Sequence, residues 1–359
     1  GVYLFPILKS MLEHQVKNRS WAATVFAAAL LAATGVATNE VLLRASWHRP
    51  SLGSAADLWC SQRARIESVD SSRTVLLLGA SRMQTNINLN TLSEIRPELD
   101  FIQLAISGRG TSFPVFQDIV TNTDFSGLVL ISETESTLAS DSLSQSDFVQ
   151  HFHRVWSLDR ALNRSIANEV QGRFVFPNPN SSSLRLWGNL LVEREAPEPM
   201  HVMTDARRQQ YSDFQIPGVV ERVNSLRASS VSPEPANAVL EDGKLATAKV
   251  GEKSWVDKVT AKWGPSIDKF TDRGGRVVVV RMPVSEPRRI SESKEFPLEK
   301  FWMPAMRTLG VESIHCFEHD ELCDFDFPDS SHLDYRDASA FTNLLLNRLN
   351  ALVVKSIRV

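Results

Sequence analysis

Three cysteines, Cys60, Cys316 and Cys323, are all that a chain of 359 residues holds. They form no paired C-x-x-C, so a thiol-rich metal cluster is excluded. Cys316 and Cys323 are close enough in sequence to close a small loop disulfide outside the cytosol, or to stand as two unpaired thiols. Cys60 is the odd one out if they pair. The chain also lacks a charge of one sign. Its formal net charge is −3, which gives no footing for a nucleic-acid partner. There is no internal repeat and no long low-complexity tract. What remains is the composition of an ordinary globular protein, long enough for one large domain or one domain with an insertion.

The address lies at the N-terminus. Trp21 to Thr38 runs without a charge, and continues to Leu43 with only Glu40 intruding. That is long enough to cross a bilayer. Lys17 and Arg19 precede it, so residues 1–20 are expected in the cytoplasm, residues 21–43 form the anchor, and everything after residue 44 is exported. Arg44 and Arg49 weaken that charge signal. Gly35-Val36-Ala37 offers the small residues of a cleavage site, so a cleaved signal peptide is the rival reading. The retained segment favours the anchor. Met11 opens a better-proportioned anchor, which makes residues 1–10 either an added remnant or an extended start.

A polar connector is expected over 44–73. Short continuous apolar runs follow, as buried parallel strands require: Thr74–Leu78, Phe101–Ala105, Leu128–Ser132, Arg276–Arg281 and Glu312–Cys316. Thr91 and Glu94 have capping-box spacing at the start of one helix. Ser254 to Thr271 reads as an amphipathic helix stopped by Gly274-Gly275, and Asp337 to Leu352 as a terminal helix. Alternating strands and helices predict an α/β fold with a parallel sheet. About 140 residues part the third run from the fourth, too many for one crossover. Residues 137–250 therefore form a mostly helical insertion, with Pro/Ser-rich breaks at 177–183 and 230–235.

Two motifs carry chemistry. Gly79-Ala80-Ser81-Arg82 follows the first strand directly, at the carboxyl edge where open α/β sheets place their sites. A serine there presents its hydroxyl outward, with its own N–H available to an oxyanion. Phe327-Pro328-Asp329-Ser330-Ser331-His332 precedes the last helix. Its D-x-x-H spacing lets one loop hold a carboxylate against an imidazole, which can then take a proton from a serine. Each alone also fits a simple turn or a polar loop.

Together the two motifs resemble the first and last sequence blocks of the SGNH/GDSL hydrolases, over about residues 70–355 apart from the insertion. The resemblance implies a flavodoxin-like three-layer α/β/α sandwich over residues 74–355. It makes Ser81 the nucleophile, with Asp329 and His332 completing a triad. The family's second-block glycine maps to Gly108, with Gly110 the second choice. The third block normally supplies an Asn, but here Ile131-Ser132-Glu133-Thr134-Glu135-Ser136 has none, which leaves Ser132 or Thr134 as substitute donors. Losing a donor commonly costs on the order of a hundredfold in rate. The anchor and the Gly-Ala-Ser-Arg form look like the membrane-anchored members that act beside membrane-bound O-acyltransferases, of the alginate O-acetylation and D-alanyl-lipoteichoic acid type. This likeness implies an exported serine esterase or O-acyltransferase acting on a cell-envelope polysaccharide, with such an acyltransferase as partner and no cofactor. The alternative is a catalytically silent scaffold or glycan-binding subunit.

The other polar residues have plainer readings. His151-x-His153 lacks a nearby third ligand, so no metal site is expected. His315 and His319 suit a surface loop. Glu133 and Glu135, alternating along a strand end, suit a solvated edge better than a glycosidase pair. Arg82 reads as an anion binder or as half of a structural salt bridge.

Overall fold

The computed structural model describes residues 4–53, 55–178, 187–188, 191–192, 199–230 and 251–356. The chain divides into two compact units, residues 1–50 with 173–200, and residues 51–172 with 201–359. The first is built on helix α1, Leu4–Ala45. Its stretch Trp21–Ala45 is 25 residues long, apolar, and long enough to cross a membrane. Glu40, the one acid in that stretch, has a structural use beside its pairing with Arg44 at 2.7 Å. Its carboxylate accepts the N–H groups of Val175 and Phe176 at 2.9–3.0 Å, and Leu43 is buried against Val175.

The second unit is centred on a five-stranded parallel sheet. Its strands are β1 (Thr74–Leu78), β2 (Asp100–Gln103), β3 (Leu128–Ser132), β6 (Arg276–Arg281) and β7 (Glu312–His315). The order is β2-β1-β3-β6-β7, and every pairing is parallel. The apolar runs do not alternate in polarity because both faces are covered. Leu76, Leu78, Val129, Ile131, Val277 and Val279 enter one core, and Val75, Leu77, Leu130, Val278 and Val280 the other.

Helices α2 (Ala55–Arg65), α5 (Phe113–Asn122) and α10 (Glu252–Asp272) cover the first face. On α10, Trp255, Val259, Trp263, Ile267 and Phe270 recur every three or four residues and are all buried. This helix ends where expected: Gly274 has φ +90°, and the Gly275 N–H returns to the Phe270 carbonyl. Helices α4 (Leu89–Ile95) and α14 (Ala338–Ser356) contribute to the other face.

Three local features differ from the sequence reading. The stretch read as a polar connector contains α2, whose Trp59 and Cys60 are fully buried and whose Arg63 pairs with Asp118 of α5 at 2.6 Å. Helix α4 is capped by Asn88, whose side chain accepts from Asn90 and Thr91, rather than by Thr91. The insertion is not only α6 (Glu135–Leu138), α7 (Ser146–Val155), α8 (Leu158–Arg173) and α9 (Val219–Ser230). It also carries an antiparallel hairpin of β4 (Val202–Thr204) and β5 (Gln210–Ser212). The Pro/Ser-rich breaks at 177–183 and 230–235 lie mostly outside the described residues. Cys60, Cys316 and Cys323 are all free thiols; Cys323 donates to the Cys316 carbonyl at 3.1 Å.

Candidate active site

The chain reverses its direction of winding at β1: β2 lies on one side of it and β3 on the other. The crevice outside the carboxyl ends of such strands is where open α/β sheets bind ligands. Gly79, the first residue past β1, has φ +143°, and a Cβ there would lie 2.7 Å from the Ser132 carbonyl oxygen. Only glycine lets the two strand ends come this close. Ala80 stays extended, and Ser81 opens the short helix α3, Ser81–Thr85. Ser81 is half-buried at the edge of the crevice.

The loop from Phe327 to Leu333 is pinned at both ends, since these two residues are buried in the second core. Between them Ser330 adopts φ +60°, a conformation rare outside glycine, and donates its N–H to the Phe327 carbonyl. That turn lets Asp329 Oδ1 accept the N–H groups of Ser331 (2.9 Å) and His332 (2.7 Å). Asp329 Oδ2 is 2.7 Å from His332 Nδ1, and His332 Nε2 is 2.7 Å from Ser81 Oγ. An ionised Asp329 requires the proton on Nδ1. Nε2 is then free to accept from the serine hydroxyl.

Burial by itself would raise the Asp329 pKa, but the His332 ring, its charge and the two N–H groups outweigh burial and hold it down to about 2. The sign follows from linkage. A carboxyl depressed from 3.8 to about 2 contributes stability that is fully present above its unfolded pKa and is lost as pH falls through its folded one. The contribution is about 2 kcal/mol. In urea melts between pH 5 and pH 2, the wild type should lose about that much more than Asp329→Asn. Parallel losses in the two proteins would refute the assignment.

The expected oxyanion donors divide. Gly108 has φ +71° and sits on an exposed loop, and no described residue accepts its N–H. Gly110 gives its N–H to Ser144 Oγ at 3.0 Å, so it is already engaged. The Thr134 hydroxyl caps α6, accepting the Thr137 N–H at 3.2 Å. Ser132 is buried, with its backbone against Gly79.

Two surface readings are corrected. Glu133 and Glu135 are both buried. Glu133 accepts from the Ser112 N–H and hydroxyl at 2.6 Å each, and burial raises its pKa. Glu135 pairs with Arg281 at 3.0 Å and with His315 at 3.0 Å. His315 is therefore buried on Glu135 rather than set in a surface loop. A period-two pattern suggested solvation, but these glutamates sit where β3 has already ended and the chain turns inward. His151 and His153 stand apart from each other's ligands, the first on Asp57 and the second on Asp118.

Several side chains that build the site carried no sequence signal. Gln84 accepts the Ser107 N–H at 2.8 Å and so tethers the loop bearing Gly108. Asn86 accepts the Leu333 N–H at 3.1 Å and fixes the residue after His332. Gln145, from the insertion, donates to the carbonyls of Gly79 and Gly110. His201 is close enough to Asp329 and His332 to feel their charges, although burial is the main cause of its lowered pKa. Amides are usually solvated, so only the folded chain reveals that these are buried in supporting positions.

No protein-family model matches the chain, and no curated protein matches it in sequence.

Proposed function

We propose that the chain is a serine-dependent esterase or O-acyltransferase of the SGNH type. The observation that carries this reading is the unbroken line Ser81 Oγ to His332 Nε2 and His332 Nδ1 to Asp329, with both links at 2.7 Å. Taken alone, the strands of the parallel sheet run second, first, third, fourth, fifth, which supports the flavodoxin-like order. Ser81 Oγ attacks the acyl carbonyl while His332 Nε2 takes its proton. The oxyanion is held by the N–H groups of Ser81 and Gly108. Collapse expels the first alcohol with that proton and leaves an acyl-serine. Water or a sugar hydroxyl then attacks, His332 again acting as base. A fluorophosphonate probe should add once to the folded wild type, at Ser81, and not to Ser81→Ala. A folded wild type that takes up no probe would favour the silent scaffold, a reading that the engaged Gly110 N–H and Thr134 hydroxyl keep in play.

The acyl group, acetyl by resemblance, moves to or from a cell-envelope polysaccharide, with a membrane-bound O-acyltransferase as donor. Helix α1 anchors the chain in the cytoplasmic membrane with the site outside the cytoplasm. An alkaline phosphatase fused to the C-terminus should then be active in intact cells. An inactive, stably made fusion would reverse the topology.

A further inference from the structure

Arg82 follows Ser81 in the first turn of α3 and is half-buried. Its Nε donates to Ser331 Oγ at 3.1 Å, on the loop that carries His332. Among the described residues no carboxylate pairs with it. The acids near it are already committed: Glu135 to Arg281 and His315, and Glu292 to Arg281 and Arg288. The group thus holds three guanidiniums against two carboxylates, and Arg82, beside Ser81, is the one of the three with no carboxylate at pairing distance. Burial first, then the charges of Arg281 and Arg288, lower the Arg82 pKa to about 9, so the group remains a cation at neutral pH. Glu292 and Glu135 act on Arg82 only through space, without an ion pair. A half-buried cation so weakly compensated is costly, and the terminal nitrogens of an arginine form a fork suited to two anionic oxygens.

We propose that Arg82 is an anion subsite, and that the substrate carries a carboxylate or phosphoryl group close to the ester that Ser81 attacks. The inference deepens the serine-enzyme reading and rests on it for the ester. The excess positive charge is set by the arginines and glutamates alone, whatever Ser81 does.

Acetate release from three acetylated sugars tests it on the full chain in detergent: a methyl glucoside, a methyl glucuronoside and glucose 6-phosphate. The wild type should prefer at least one anionic ester over the neutral one by about tenfold in kcat/KM, mainly through KM. Which anion wins separates carboxylate from phosphoryl. Arg82→Gln should erase the preference, and Arg82→Lys should restore part of it. Equal rates on all three esters, or a preference that survives in Arg82→Gln, overturns the proposal. Binding is also read without turnover. Methyl glucuronoside or inorganic phosphate should raise the Tm of Ser81→Ala but not of Ser81→Ala/Arg82→Gln. If neither anion shifts Ser81→Ala, the subsite is absent. If an anion shifts it while no ester is cleaved and no probe adds to Ser81, the subsite stands and the hydrolase reading fails.

Discussion

Ser81→Ala should reduce acyl-ester turnover by on the order of a million-fold, and by no less than about a thousandfold where few oxyanion donors remain. Its Tm should barely move. The Ser81 side chain is half-exposed, and the bond it loses is the one to His332 Nε2, so truncation opens no cavity. Asp329→Asn should cost about ten-thousandfold, because an amide no longer holds the imidazole with its proton on Nδ1. Acetate release from a small soluble acetyl ester, beside melting curves of each variant, gives both readouts. Wild-type turnover in Ser81→Ala would remove Ser81 from the chemistry.

The second large effect lies behind the site. Arg281 is fully buried at the end of β6, where it binds Glu135 and Glu292, and its guanidinium lies 5.0 Å from the Phe317 ring centroid. Burial alone would raise the Glu135 pKa, but the Arg281 charge and the His315 bond hold it down to about 2. Arg281→Met strips that charge and leaves two glutamates short of a partner. It should destabilise the fold by about 3–5 kcal/mol. Arg281→Met/Glu135→Leu should cost clearly less than the single change, because the orphaned carboxylate leaves with its partner. Denaturant midpoints measure both. A single variant within about 1 kcal/mol of wild type would show that water or rearrangement satisfies Glu135.

Much of the sheet was legible because buried parallel strands are apolar on every residue. The runs at 74–78, 128–132 and 276–281 match β1, β3 and β6 to the residue, while β2 starts one residue earlier and stops short of Ala105. The close approach of Ser81, Asp329 and His332 was expected from two short motifs, although 248 to 251 positions part the serine from its partners. Helix α2 was missed because its sequence, AADLWCSQRAR, is rich in polar residues. Arg63 is drawn inward by Asp118 and Arg65 pairs nearer the surface with Asp100, partners that lie far along the chain. The same reason hid the buried glutamates. A charge reads as solvated until the folded chain brings up its counter-charge.

The hairpin of the insertion has a consequence for timing. Arg208, at its turn, donates to the carbonyls of Ala55, Gln103 and Ala105, and Gln209 accepts from Leu89, all of them made before it. Its far strand waits for the end of the chain: the Ser212 carbonyl takes the Tyr335 N–H, and Asp213 takes Arg336. These are contacts of high sequence separation, and closing the long loops they span costs chain entropy before any bond forms. A chain made only as far as β3 contains Ser81 but neither Asp329 nor His332. In the serine enzyme proposed above, Ser81 becomes competent only when the last thirty or so residues, from Asp329 onward, have closed over the hairpin.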